Sequence, residues 1–386
     1  MTNHLRPLYL LDPDVTFLNH GSFGATPRPV FDAYQAWQRR LEWQPVRFLS
    51  TELAGHLAEA RRALGDLLRA DAADLVYVPN ATFGVNVVAR SLRLGAGDEV
   101  LTTDHEYGAC DRVWRYLSRE RGFAYCRQPV ALPLTTDEAL VDHFWQGVTP
   151  RTRVIFLSHI TSPTAVRLPV AALCARARAA GILTLIDGAH APGQIDLDLP
   201  ASGADFYTGN CHKWLSSPKG AAFLYARREA QELIEPLVVG WGWAAEPEMS
   251  YGSRFLDYLQ WLGTIDYSAY LSVPAAIRFQ AEHDWPAVRQ TCHQLLGEAL
   301  DGIAALTGRP SVYPDHSFYH QMGVAALPAA TDIVALKRRL LDDYRVEIPC
   351  TRWNDRPFIR VSIQAYNTAE DVAALIEALR VLLREE

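Results

Sequence analysis

Through the first two thirds of the chain, short apolar runs alternate with longer stretches whose apolar residues recur at helical spacing. Leu75–Val78 is apolar and β-branched, and a helical pattern follows over 81–92. Glu99–Thr103 reads as a strand and 109–121 as a helix, and 154–158 is another short apolar run. Pro169 stands where the first turn of a helix tolerates proline. That helix runs through an Ala/Arg-rich stretch to Ala180 and stops at Gly181. Strand patterns at 182–186, 206–207 and 221–225 complete the series. Repeated strand–helix alternation predicts an α/β fold with a largely parallel sheet.

Beyond about residue 268 the rhythm changes. One long helical region is expected from 274 to about 306 and serves as the join between two units. It leads to a strand at 321–326, a helix at 332–342, strands at 345–348 and 358–363, and a helix at 369–384. This pattern is that of a smaller α+β unit. The expected boundaries are a large unit over 20–268 and a small unit formed by 1–19 together with 269–386.

Composition narrows the class. A chain of 386 residues exceeds one small core, and its 49% hydrophobic and 21% charged content is that of a water-soluble globular protein. The net charge of −7, without blocks of like charge, leaves no footprint for nucleic acid. No apolar run is long enough for a membrane span, and the start carries no charged-then-apolar signal pattern. Cys110, Cys126, Cys174, Cys211, Cys292 and Cys350 are scattered without a CxxC pair, so neither a disulfide frame nor a metal site is expected. The expected location is the cytoplasm.

Four segments carry candidate chemistry. In 182–190 an apolar strand ends in Asp187, and ligands of parallel sheets sit at the carboxyl ends of strands. An Asp there either pairs with a cationic ring nitrogen or caps the following turn. Lys213 lies between an imidazole and an indole, His212 and Trp214, in a polar loop. A partly desolvated lysine there forms imines, and a solvated one is an ordinary surface residue. Pro79-Asn80-Ala81-Thr82-Phe83-Gly84 joins a strand to a helix, as a phosphate cradle or as a simple N-cap. Arg360 interrupts an apolar strand, which calls for an anion, either a substrate carboxylate or an internal acid.

The order of these segments, a phosphate cradle, then a strand-end Asp, then a Lys 26 positions later, then a late Arg, matches the parts of a pyridoxal 5'-phosphate (PLP) enzyme acting on an α-amino acid. The chain resembles the class V aminotransferase family of fold-type I PLP enzymes, in its isopenicillin N epimerase-like branch. The resemblance rests on the segments 17–24, 103–109, 158–164, 187–193, 209–214, 263–264 and 360–368. It implies a seven-stranded, mostly parallel sheet with a small α+β C-terminal unit. It implies that Lys213 forms the internal aldimine and shuttles the Cα proton, that Asp187 pairs with the pyridine nitrogen, and that His190 sits by the phenolic oxygen. Ser162 stands where relatives often have Asn. Tyr107 fits the aromatic position over the ring, with His105 as its competitor. Thr82 and the Ala81 backbone would bind phosphate, helped by Asn210 and His212. Thr264 would reach the phosphate site of a partner subunit, which makes a homodimer part of the expectation. Arg360 would bind the substrate carboxylate, and the loop holding Asn19 and His20 would border the substrate.

The reaction stays open between epimerisation and carbon–sulfur lyase chemistry. Epimerisation needs a proton donor for each face of Cα, for which Tyr107, His20 and a water are candidates. Desulfurase chemistry needs a mobile thiol, and Cys350 is the candidate, although the His-rich approach of desulfurases is missing before it. A catalytically silent PLP-binding protein is the non-enzyme alternative. The segment Gly240-Trp241-Gly242-Trp243, with Trp261 beyond it, would wall a substrate pocket or pack at a subunit interface.

Overall fold

The fold was taken from a computed structural model that describes residues 5–244, 246 and 250–384. The first four residues of the expected 1–19 segment lie outside the described residues. Among the described residues twelve strands are formed: β1 (Thr16–Phe17), β2 (Leu75–Val78), β3 (Glu99–Thr103), β4 (Ala124–Gln128), β5 (Thr152–Ser158), β6 (Leu183–Asp187), β7 (Phe206–Asn210), β8 (Ala222–Ala226), β9 (Met322–Ala326), β10 (Val346–Glu347), β11 (Cys350–Trp353) and β12 (Arg356–Ser362).

Seven of them build the central sheet in the order β2-β8-β7-β6-β5-β3-β4. All neighbours are parallel except β8, which runs antiparallel to both β2 and β7. Helices cover both faces, so β2, β3, β7 and β8 are buried at every position. Along β2, Leu75 and Tyr77 enter one core and Val76 and Val78 the other, as a period of two requires. The register sets Ser158 beside Asp187 and Asp187 beside Thr208, aligning the carboxyl ends of β5, β6 and β7.

The C-terminal part of the chain forms an antiparallel sheet, β11-β12-β9, against which the helix Trp285–Thr307 packs. Residues near the chain start join it: β1 pairs in parallel with β10, Asn19 bridges to Ser362, and Arg6 forms a 3.0 Å ion pair with Asp371.

The single long helix expected over 274–306 is two helices, Val273–Glu282 and Trp285–Thr307. Asp284 between them has φ 46°, outside the helical region. The cause is Pro286, whose ring would collide with the carbonyl of Glu282 four residues earlier and which has no N–H to give it. The strand expected over 206–207 runs on to Asn210, because hydrogen bonding to β8 holds the Thr-Gly-Asn stretch extended. β4 and β11 carried no clear strand pattern. Both lie at sheet edges and are partly exposed, which relaxes the demand for alternation.

Candidate active site

The carboxyl ends of the parallel strands border a cavity of about 510 Å³. The loops and helix starts that follow β2, β3, β5, β6 and β7 supply its walls. Ala81, Thr82, Tyr107, Ser162, Asp187, His190, Asn210, His212 and Lys213 all line it. Residues from positions 81 to 213 thus converge on one space, as the open α/β architecture dictates. Asn19, His20, Thr264 and Arg360 are not in the lining.

Asp187 ends β6 and is buried. Its Oδ1 accepts the Ala189 amide at 2.9 Å and its Oδ2 accepts the Cys110 thiol at 3.3 Å. Burial raises its pKa, partly offset by the Ala189 amide and by the thiol. Its hydrogen-bond donors are neutral, so the site favours a cation in front of it. A protonated pyridine nitrogen meets that requirement.

Lys213 lies in the loop that connects β7 to β8 and lines the same cavity. Its Nζ lies 3.1 Å from His190 Nε2. Burial, reinforced by the Arg360 charge, brings the ammonium pKa down to about 8. The amine is therefore a far better nucleophile near neutrality than a surface lysine. The approach of the N-terminal loop to this segment depends on Gly24, which has φ +70°. A Cβ there would collide with the His212 carbonyl.

At the start of the helix Ala81–Ser91, Asn80 caps through its Oδ1 to the Phe83 amide at 2.9 Å. The Ala81 amide, expected as a phosphate ligand, instead donates to Asn210 Oδ1 at 2.9 Å. This bond ties the helix start to the end of β7 and leaves the Thr82 backbone and hydroxyl as the nearer anion donors. His212 accompanies them in the lining, with Nδ1 3.2 Å from the Ala221 carbonyl. Burial lowers its pKa to about 4. A bound phosphate dianion would counter that shift.

Arg360 lies one layer behind the lining. Nη1 donates to the Ser162 carbonyl at 2.7 Å and its hydroxyl at 3.2 Å, and Nη2 donates to the Ser22 hydroxyl at 3.0 Å. Ser22 Oγ in turn donates to Asn19 Oδ1 at 2.5 Å, and Asn19 Nδ2 donates to Glu347 at 2.8 Å. No carboxylate forms an ion pair with Arg360 among the described residues. The internal acid left open by the sequence is thus absent there. Asn19 acts behind the wall, while Ser22 and Ser162 face the cavity.

Tyr107 is the aromatic side chain of the predicted pair that reaches the cavity, and it is 45% exposed. Its competitor His105 is buried between Thr164, Val130 and Trp353. His20 is also walled in, bonded to Tyr366 at 3.0 Å, to the Lys213 carbonyl at 2.9 Å and to Gln364 at 3.2 Å. Cys350, Trp241, Trp243 and Trp261 are absent from the lining. Trp241 and Trp243 are exposed, and Trp261 stacks on Tyr267.

Four participants escaped sequence reasoning. Ser22 sits inside a motif that was noted, but its contact with Arg360 spans 338 residues. Cys110 follows the Tyr107 motif closely, yet nothing local signals its bond to Asp187. Glu106 is buried next to them, accepting from Thr103 at 2.6 Å and from Ser158 at 2.8 and 2.6 Å, and burial lifts its pKa to about 7. Trp214 donates its indole N–H to His190 Nδ1 at 3.2 Å.

Comparison with known proteins identifies the family and the fold. The family described as Aminotransferase class-V matches residues 17–375. Isopenicillin N epimerase of Amycolatopsis lactamdurans is 38% identical over 96% of both chains. A probable chloroplastic L-cysteine desulfhydrase of Arabidopsis thaliana is 29% identical, covering 97% of this chain and 84% of the relative. The apo structure of cysteine desulfurase from Thermococcus onnurineus shares the fold with a TM-score of 0.84 at 19% identity, covering 100% of this chain and 99% of the other. A cavity pairing an activated lysine with a buried carboxylate, in a chain matched by the family over nearly its whole length, leads to one assignment: the protein belongs to the class V aminotransferase family of PLP-dependent enzymes.

Proposed function

We propose that the enzyme epimerises the Cα centre of an α-amino acid, with PLP held as a Schiff base on Lys213. The observation that carries an amino-acid substrate is Arg360, a buried guanidinium without an acidic partner among the described residues, set behind two serines of the cavity that holds Lys213. When bound, PLP supplies an electron sink for the charge left at Cα. Asp187 would hold a proton on the ring nitrogen, Thr82 with Asn210 and His212 would receive the phosphate, and Tyr107 would be the aromatic neighbour of the ring. Lys213 moves the proton at Cα on its own side. Tyr107 is the side-chain donor for the other side, since His20 is enclosed. The similarity to isopenicillin N epimerase favours this outcome.

The second reading is carbon–sulfur lyase chemistry on a cysteine derivative, favoured by the similarity to L-cysteine desulfhydrases. Cys350 is a weaker basis for persulfide chemistry, because it pairs with Ile359 in a sheet edge outside the cavity lining. Under either reading, the proposal includes a homodimer in which Thr264, exposed here, reaches the partner's phosphate site. It also includes the division into a large unit over 20–268 and a small unit over 1–19 with 269–386, and a cytoplasmic location. Among the described residues, no helix is long and apolar enough to cross a membrane.

Incubation in heavy water with a panel of amino acids, cysteine conjugates included, separates these outcomes. Epimerisation gives deuterium at Cα and loss of optical activity without keto acid. Lyase action gives pyruvate and a thiol. Borohydride reduction is expected to fix the cofactor on the Lys213 peptide, and a colourless protein that stays cofactor-free with added PLP would refute the whole reading.

A further inference from the structure

We propose that Trp214 is a positioning residue that holds His190 in the tautomer with hydrogen on Nε2, and so favours the neutral amine of Lys213. This rests on the reading of Lys213 as the cofactor lysine.

An indole nitrogen only donates. Trp214 Nε1 lies 3.2 Å from His190 Nδ1, so Nδ1 is bare and accepts. A neutral imidazole carries its hydrogen on one nitrogen, which leaves it on Nε2. That N–H faces Lys213 Nζ at 3.1 Å. An ammonium there would meet hydrogen with hydrogen, whereas a free amine accepts the bond. Two charged forms are thereby disfavoured by one contact: imidazolium at His190 and ammonium at Lys213.

The surroundings reinforce this. The groups electrostatically coupled to His190 are cationic or potentially cationic: Lys213, Arg360, His212 and His20. On Lys213 the Arg360 charge acts in the same direction, while Asp187 and Cys110 oppose it by favouring the ammonium. The contact is also rigid. Trp214 is fully buried and packs with Ile160, Ala165 and Met322. Its carbonyl accepts from Gln280 at 2.8 Å, and its ring lies 5.0 Å from that of His20. Gln194 holds the His190 carbonyl at 2.6 Å. Two functions follow. Before the cofactor arrives, the tautomer keeps the lysine nucleophilic. With the cofactor bound, Nε2–H would remain a hydrogen-bond donor towards it, because Nδ1 stays occupied by the indole.

The test uses the cofactor-free protein labelled with nitrogen-15 histidine, with His190 assigned from the spectrum of H190Q. A pyridine-type signal at Nδ1 and a pyrrole-type signal at Nε2 are expected. A hydrogen on Nδ1 overturns the proposal, and this measurement needs no folded variant of Trp214. Replacing Trp214 by benzothienylalanine keeps the ring shape and removes the N–H. His190 should then populate both tautomers. The midpoint for trinitrobenzenesulfonate labelling of Lys213, followed peptide by peptide against pH, should rise by about one unit, the worth of one neutral hydrogen bond. An unchanged tautomer and midpoint sink the idea. Should borohydride fix the cofactor on another lysine, the assignment of Lys213 fails while the tautomer result still stands.

Discussion

Arg360 Nη1 donates to the backbone oxygen of Ser162 at 2.7 Å, joining the C-terminal sheet to the loop after β5. The bond spans 198 residues and meets a neutral acceptor. On its other side, Ser22 and Asn19 lead from the guanidinium to Glu347. Every oxygen that touches the guanidinium is uncharged, so its charge is aimed while remaining free for a carboxylate. Burial pulls its pKa down to about 10, against the opposing influence of Tyr313 and Tyr107.

Arg360→Lys loses the planar fork and keeps a charge. With hydrogen bonds to charged groups worth about 1.5–3 kcal/mol, kcat/KM should fall about tenfold to a hundredfold, chiefly through KM. Ser22→Ala removes one neutral link and should raise KM roughly twofold to tenfold with little loss of thermal stability. Steady-state kinetics and thermal melts check both. Unchanged KM in both variants would exclude Arg360 from carboxylate binding.

Asp187→Asn preserves shape and removes the charge facing the cofactor nitrogen. Losing one preorganised electrostatic partner costs roughly 10²–10³ in rate, so kcat should drop on that order at saturating PLP. Full activity in the variant would show that the ring nitrogen needs no acidic partner here.

Lys213 gives the cofactor-free enzyme a definite pH signature. Its folded-state pKa of about 8 lies below the ordinary 10.5. Between these values the unfolded chain binds one more proton at this site, so stability should rise with pH across that window. Below about pH 8 both states are protonated and the cost of burying the ammonium is fully present. Comparing urea midpoints at pH 8 and pH 10 for the wild type and Lys213→Met isolates this contribution. An equal slope in both proteins would contradict the lowered pKa.

Gly24→Ala introduces a Cβ that meets the His212 carbonyl at a position with φ +70°. Backbone strain alone costs about 1–2 kcal/mol, and relief of the overlap displaces the Lys213 segment. Lower thermal stability together with slower cofactor capture is expected, read by differential scanning fluorimetry and absorbance. Stability loss with normal capture would mean that the N-terminal loop does not set the lysine.

Much of this was legible in the chain because local chemistry is strong at those points. β2 is an uninterrupted apolar run and β6 a mainly apolar one, while Asp187 ends a strand, Thr82 opens a helix and Lys213 follows three residues after a strand end. The continuous helix over 274–306 failed because its periodicity outweighed a single Pro286. His20 reads as a loop histidine but is buried by Tyr366 and Gln364, more than 340 residues away. Ala81 looks like a phosphate donor until Asn210 takes its amide.

The sequence by itself determined the α/β alternation, the order of the chemical groups and the family, because each depends on neighbours within a turn or a strand. Lys213 emerged from it as a lysine in a polar loop beside an indole. Tertiary structure alone decided which atom that indole addresses, that Cys110 meets Asp187, and that Arg360 is held by serines without an acid. These contacts join residues from 24 to 338 positions apart, and hydrogen-bond direction depends on where the fold brings donor and acceptor together.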